Sequence, residues 1–133
     1  MSEENIEIIR RVYDAFSRRD FDGAAQYLHR DFEIYPAIAG PDWRGHYRGR
    51  DGAKEFWEVI TEVWEALTVE FKETIEAPDN RILAVEHWRS SGRDGIVIDF
   101  EVTHLYAFRD DLIVRIDGFT ERAEALEPAG LTK

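Results

Sequence analysis

From Ile96 to Phe108 the chain alternates. Ile96, Ile98, Phe100, Val102, His104, Tyr106 and Phe108 fall on one side, and Asp99, Glu101 and Thr103 fall between them. A period of two with an aromatic-rich row predicts a long strand with one buried face. A second alternation precedes it. Ile82, Ala84, Glu86 and Trp88 share one face of a strand, and Leu83, Val85, His87 and Arg89 share the other. Ser90 to Gly95 reads as the hairpin loop joining the two. Val69, Phe71 and Ile75 begin an earlier strand that ends at Pro78-Asp79-Asn80, and Arg109-Asp110-Asp111 turns the chain into a last strand from about Leu112 to Thr120. A run of sequential strands with short turns predicts an antiparallel meander.

The first half carries a different period. Ile6, Ile9, Val12, Tyr13 and Phe16 recur at helical spacing, with Ser2 as N-cap and Glu3 and Glu4 in the first turn. Asp22 is placed to cap a second short helix to about His29, followed by an extended piece from Phe32 to Tyr35. Pro36, Gly40, Pro41, Gly45 and Gly49 punctuate a loop that carries Trp43, His46 and Tyr47. A third helix opens at Asp51, with Ala53, Phe56, Trp57, Ile60, Trp64 and Leu67 as its apolar stripe and an acidic stripe opposite. Arg122 to Leu126 reads as a short tail helix. Helices first and a meander after them predict an α+β fold in a single domain, residues 1–133, which a chain of this length can stabilise without metal or disulfide staples.

Composition excludes several functions. Seventeen Lys and Arg against 28 Asp and Glu give a net charge of −11, which repels nucleic-acid phosphates and anionic lipid. The absence of cysteine removes thiol nucleophiles, Cys-ligated zinc and iron–sulfur clusters. The polar, acidic start resembles no signal peptide, and no apolar run approaches the roughly 20 residues that span a bilayer. The expectation is a cytoplasmic protein with no nucleic-acid or membrane partner. No metal site is expected either, since Glu86 and His87 point to opposite faces and no histidines stand two or four apart.

His104 is the most informative residue, because it interrupts an apolar row. It is either a hydrogen-bonded core histidine or a group that orients a ligand and passes a proton. Glu86, on the Trp88 face, is a second buried-carboxylate candidate. In the last strand, periodicity favours Leu112, Val114 and Ile116 inward; the opposite choice brings Ile113, Arg115, Asp117 and Phe119 inward and sets a carboxylate beside His104. His87 and Arg89 face Asp99 and Glu101 across the hairpin, which reads as sheet stabilisation.

Asn5 to Phe16 (NIEIIRRVYDAF), Arg19 to Asp22, Tyr47-Arg48-Gly49-Arg50-Asp51-Gly52, His104 to Asp110, Arg115 to Phe119 and Arg122 to Leu126 carry a resemblance over nearly the whole length. In these segments the chain resembles the SnoaL-like branch of the nuclear transport factor two-like superfamily. The resemblance implies a cone-shaped α+β barrel, with N-terminal helices on a strongly curved antiparallel sheet around a hydrophobic pocket. It implies that Arg115, Asp117 and Phe119 look into that pocket, and that the convex face forms a homodimer. Ketosteroid isomerases share the fold, but their base position falls at or near Pro36, their oxyanion carboxylate on His104 and their tyrosine at Val12, which disfavours that machinery. SnoaL-type polyketide cyclases are similar in placing a histidine on the penultimate strand and an aspartate on the last, as His104 and Asp117 do. Limonene epoxide hydrolases use an Asp–Arg–Asp set, of which only Arg115 finds a place.

The expected function is acid/base enzymology, without a cofactor, on a small hydrophobic carbonyl or polycyclic molecule. Asp117 would move the proton, and His104 and Arg115 would stabilise the enolate. Trp57, Trp88, Tyr106, Phe100 and Phe119 would hold the substrate together with Glu86, Tyr13 and Tyr35, with Trp43 and Tyr47 at the entrance. The alternatives are a non-catalytic binder of a small hydrophobic ligand and a dimeric scaffold whose pocket has collapsed.

Overall fold

The computed structural model describes residues 2–37, 45–92, 95 and 97–131. Helix α1 (Ser2–Ser17) and the short α2 (Phe21–Ala25) lead into β1 (Leu28–Tyr35). Then come β2 (Tyr47–Arg48), α3 (Gly49–Val63), β3 (Trp64–Ala77), β4 (Arg81–Gly92), β5 (Val97–Arg109), β6 (Leu112–Phe119) and α4 (Arg122–Leu126). The strands form one sheet in the order β2-β1-β6-β5-β4-β3, curled but not closed. The α+β class and the N-terminal helices on the sheet are as the sequence predicts. The sheet is mixed rather than antiparallel throughout, because β1 runs parallel to β6.

Several element boundaries differ from the sequence reading. Asp20, not Asp22, caps α2 by accepting from the Gly23 backbone N–H at 2.9 Å, and the strand begins at Leu28 rather than Phe32. His29 is therefore a strand residue, and its Nδ1 accepts from the Asp31 N–H. Helix α3 starts at Gly49 and stops at Val63, so Trp64 and Leu67 belong to β3. Strand β4 runs through Ser90 and Ser91, which pair with Ile98 and Val97, so the hairpin loop is shorter than Ser90–Gly95.

Two irregularities set which side chains face inward. In β3 the register shifts between Phe71 and Glu73: Phe71 packs under the helices, whereas Ile75 and Ala77 turn to the outer face. In β6 the register shifts at Val114, so that Arg115 pairs with Ala107 and Ile113 with Phe108. An extra residue in one strand reverses its alternation. Ile113 and Ile116 consequently enter the same core cluster, together with Ile9, Phe32, Tyr106 and Phe108.

The outer face has its own packing. Leu83, Leu105, Ala77 and Phe119 lie under Ala125, Leu126 and Ala129 from α4 and the turn after it. Arg81 fastens that tail by donating to the carbonyls of Pro128 and Ala129. Helix α1 is fixed at its start by buried Asn5, whose amide donates to the Asn80 side chain, which in turn donates to the Phe108 carbonyl. At Gly118 a Cβ would lie 2.5 Å from the Ala37 nitrogen. Only glycine there lets the chain after β1 cross β6 and bring Pro36 and Ala37 to the interior. No helix among the described residues is long and apolar enough to cross a membrane.

Candidate active site

Among the described residues Glu86 is the best-buried charged group of the sheet, with no exposed surface. Alternation along β4 sends it inward between Ala84 and Trp88, where the helices cover it. A carboxylate in such a place needs donors, and three converge on it. Trp88 Nε1 donates to Oε1 at 2.8 Å, His104 Nδ1 lies 2.9 Å from the same oxygen, and the Tyr106 hydroxyl donates to Oε2 at 2.5 Å. The Tyr13 hydroxyl lies 2.8 Å from that of Tyr106. Tyr106 directs its proton to Glu86, so Tyr13 donates to Tyr106.

This geometry also fixes the imidazole. A carboxylate only accepts, so Nδ1 carries a proton and Nε2 is the nitrogen left with a lone pair when the ring is neutral. Among the described residues Nε2 has no hydrogen-bond partner. Burial, and after it the charge of Glu86, pushes the Tyr13 and Tyr106 hydroxyls well above their usual range near 10, so both remain neutral donors.

His104, Tyr13 and Trp88 line a cavity of about 130 Å³ between the helices and the sheet. Trp57 and Phe56 from α3, Ile34, Pro36 and Ala37 from the end of β1, Phe100 from β5 and Ile116 from β6 contribute to its wall. The aromatic wall is interlocked: Phe16 sits 4.4 Å from Trp57, and Tyr13 and His104 each sit 5.8 Å from Trp88 between ring centres.

Of the sequence candidates, Tyr13, Trp57, Trp88, Phe100 and His104 thus meet at the cavity, with Glu86 and Tyr106 directly behind. Four do not. Arg115 and Asp117 lie on the opposite face, paired in register with Ala107 and Leu105, where the Arg115 guanidinium donates to both Asp117 oxygens at 2.8 and 3.0 Å. The Val114 bulge is the reason: it puts Ile116, not Asp117, on the cavity side. Phe119 packs under α4. Tyr35 is also outside, stacked on His46 at 4.3 Å with Arg115 4.5 Å above its ring. Tyr47 is buried in the core against Phe56 instead of standing at an entrance, and Trp43 lies outside the described residues. The expected His87 and Asp99 contact does form on the outer face, and it holds the Asp99 carboxyl below its usual range. What sequence reasoning missed is the connection of Glu86 to His104. Its signal was the 2-residue spacing Glu86-x-Trp88 opposite His104-x-Tyr106 on adjoining strands.

The family model for SnoaL-like domains matches residues 9–116. The chain belongs to the SnoaL-like family. No curated protein sequence matches it. Among solved structures, TerC co-crystallised with polyporic acid is similar with a TM-score of 0.75 at 23% identity, covering 95% of this chain and 97% of that one. The Δ5-3-ketosteroid isomerase of Mycobacterium sp. gives 0.75 at 17% identity, covering 90% and 95%. A protein described as a SnoaL-like polyketide cyclase from Jannaschia sp. CCS1 gives 0.72 at 15% identity, covering 98% and 94%. These likenesses establish the fold. Among the described residues of this SnoaL-like chain no cluster of three His, Asp or Glu groups is arranged for a metal ion.

Proposed function

We propose that this SnoaL-like protein is an enzyme that moves protons on a small, mostly apolar carbonyl compound, using His104 as the acid/base group. The observation that supports this reading is the Glu86–His104 pair. A fully buried carboxylate holds Nδ1–H, and the same ring lines an apolar cavity. Glu86 is a positioning residue: it selects the tautomer and stabilises the imidazolium that forms when Nε2 takes a proton. His104 would remove a proton from the carbon beside the carbonyl and return it to another atom of the same conjugated frame, so that the product is an isomer of the substrate. The polyketide-cyclase and isomerase structures of the same fold are consistent with such chemistry.

Proton exchange tests this directly. In D₂O, the wild-type protein should speed deuterium uptake at the α-carbon of cyclohex-2-enone-type ketones, followed by NMR. His104→Phe should abolish the effect, and Glu86→Gln should lower kcat more than it changes KM and displace the pH profile. Exchange that survives His104→Phe would sink the assignment. The second reading, ligand binding without turnover, draws on the almost wholly apolar wall; it predicts saturable binding and no exchange in either protein.

A further inference from the structure

The cavity that carries the proposed chemistry also restricts what can occupy it. We infer that this site takes a neutral, single-ring molecule bearing one hydroxyl of phenol or enol type, which donates to His104 Nε2. The inference rests on the acid/base reading above and narrows it to a substrate class.

Size is the first constraint. The cavity measures about 130 Å³. An apolar protein cavity of roughly 150 Å³ holds a benzene ring, whereas drug-sized ligands occupy roughly 300–1,000 Å³. One ring fills this space, whereas a fused polycyclic skeleton would have to extend past the described walls.

Polarity is the second. Among the described lining residues, only Tyr13, Trp57, Trp88 and His104 have a side-chain nitrogen or oxygen. The Trp88 N–H is spent on Glu86, and the Tyr13 proton on Tyr106. His104 Nε2 and the Tyr13 oxygen present lone pairs, and the Trp57 N–H is a donor with no partner among the described residues, so a hydroxyl, which both donates and accepts, answers the wall. An enol is the donating form of a ketone, so the preference agrees with a base that removes an α-proton.

Charge is the third. No Lys or Arg is among the described lining residues, and Arg115 is committed to Asp117 on the far side of the sheet. Glu86 stands directly behind His104. A carboxylate ligand would bury its charge beside another negative charge without a cation among the described lining residues, which is strongly unfavourable.

Calorimetric titration of the full chain with phenol, toluene, benzoate and 1-naphthol tests all three constraints. Toluene matches phenol in size and lacks the donor. Phenol should bind roughly tenfold or more tightly than toluene, the worth of one buried hydrogen bond. It should also exceed 1-naphthol by about tenfold, and benzoate should give no saturable heat. In His104→Phe the preference for phenol over toluene should vanish while toluene still binds. A ¹⁵N-histidine spectrum of the wild type supplies a readout that needs no variant: the His104 Nε2 resonance should move with phenol and stay fixed with toluene. Benzoate or 1-naphthol binding as tightly as phenol, equal binding of phenol and toluene, or no binding by any probe overturns the inference. Selective phenol binding without α-proton exchange supports it while removing the enzymatic reading. Exchange accompanied by a preference for benzoate or 1-naphthol overturns it and leaves that reading standing.

Discussion

Residues 86 and 87 of β4 each join a histidine to a carboxylate, on opposite faces of one sheet. Inward, Glu86 meets His104 with 0% and 8% of their side chains exposed. Outward, His87 meets Asp99 with 31% and 47% exposed. The chemistry is the same and the surroundings are not. Water solvates the outer pair whenever it opens, so its formation contributes little. The inner pair has no such alternative. Its carboxylate is held by three donors, and removing it leaves those donors buried and unpaired. Reactive potential therefore depends on the face of the strand rather than on the residue types.

The largest break in this contrast should come from Glu86→Leu, which removes the shared acceptor of Trp88, His104 and Tyr106. A loss of about 3–5 kcal/mol in urea unfolding is expected, as for other broken buried pairs. Asp99→Leu should leave the midpoint within the scatter of surface substitutions. Equal losses would show that burial does not separate the two pairs.

Tyr106→Phe comes next, at about 1–2 kcal/mol, because Tyr13 loses its acceptor and Glu86 one of its donors. It also carries a pH signature. The Tyr13 and Tyr106 pKa values are raised in the folded state, so folding favours their protonated forms. The unfolded chain releases these protons first, near pH 10, and stability falls as pH rises from there toward the folded values. Tyr106→Phe should make that alkaline decline shallower.

The outer pair has the opposite sign. The Asp99 pKa is lowered, first by its hydrogen bond to His87, so its contribution is present above the ordinary carboxylate range and disappears as pH falls through the lowered value. His87→Asn should erase this acid-side dependence, visible in thermal melts at low salt and faint at high salt. The smallest effect is expected for Asp117→Asn. It removes an outer-face pair worth about 1 kcal/mol or less and should leave proton exchange at the cavity unchanged. Loss of exchange in this variant would return Asp117 to the chemistry and contradict the separation of the two faces.

The sequence revealed the inner row of β5 and the matching row of β4, because strict alternation over long strands leaves only one phase that buries the aromatics. His104 and Glu86 were both legible for that reason. Their hydrogen bond was not, since it depends on the β4–β5 register, which pairs Ala84 with His104 and sets Glu86 diagonally across from it. In the last strand, alternation placed Ile116 inward and Arg115 and Asp117 outward, as they are, and missed only the extra residue at Val114 that turns Ile113 inward as well. The end of α3 was hidden for a different reason: no Gly or Pro separates it from β3, and Trp64 and Leu67 continue the helical spacing by coincidence. The family expectation introduced the error in the last strand. It placed Arg115, Asp117 and Phe119 together on one face, as they are, but on the wrong side.

The parallel pairing of β1 with β6 has a consequence for how the protein is made. Leu28 pairs with Ile113, and Tyr35 with Asp117, so a strand synthesised early waits for β6 to leave the ribosome. Until then, β1 and the helices above it have an unfinished sheet to rest on, and the apolar sides of α1 and α3 stay uncovered. Such long-range pairing is slow and exposes nascent chains to aggregation. The interior of this protein is thus assembled only after β6 has been made. Emergence of β6, rather than of the helices, should govern when a folded cavity first exists.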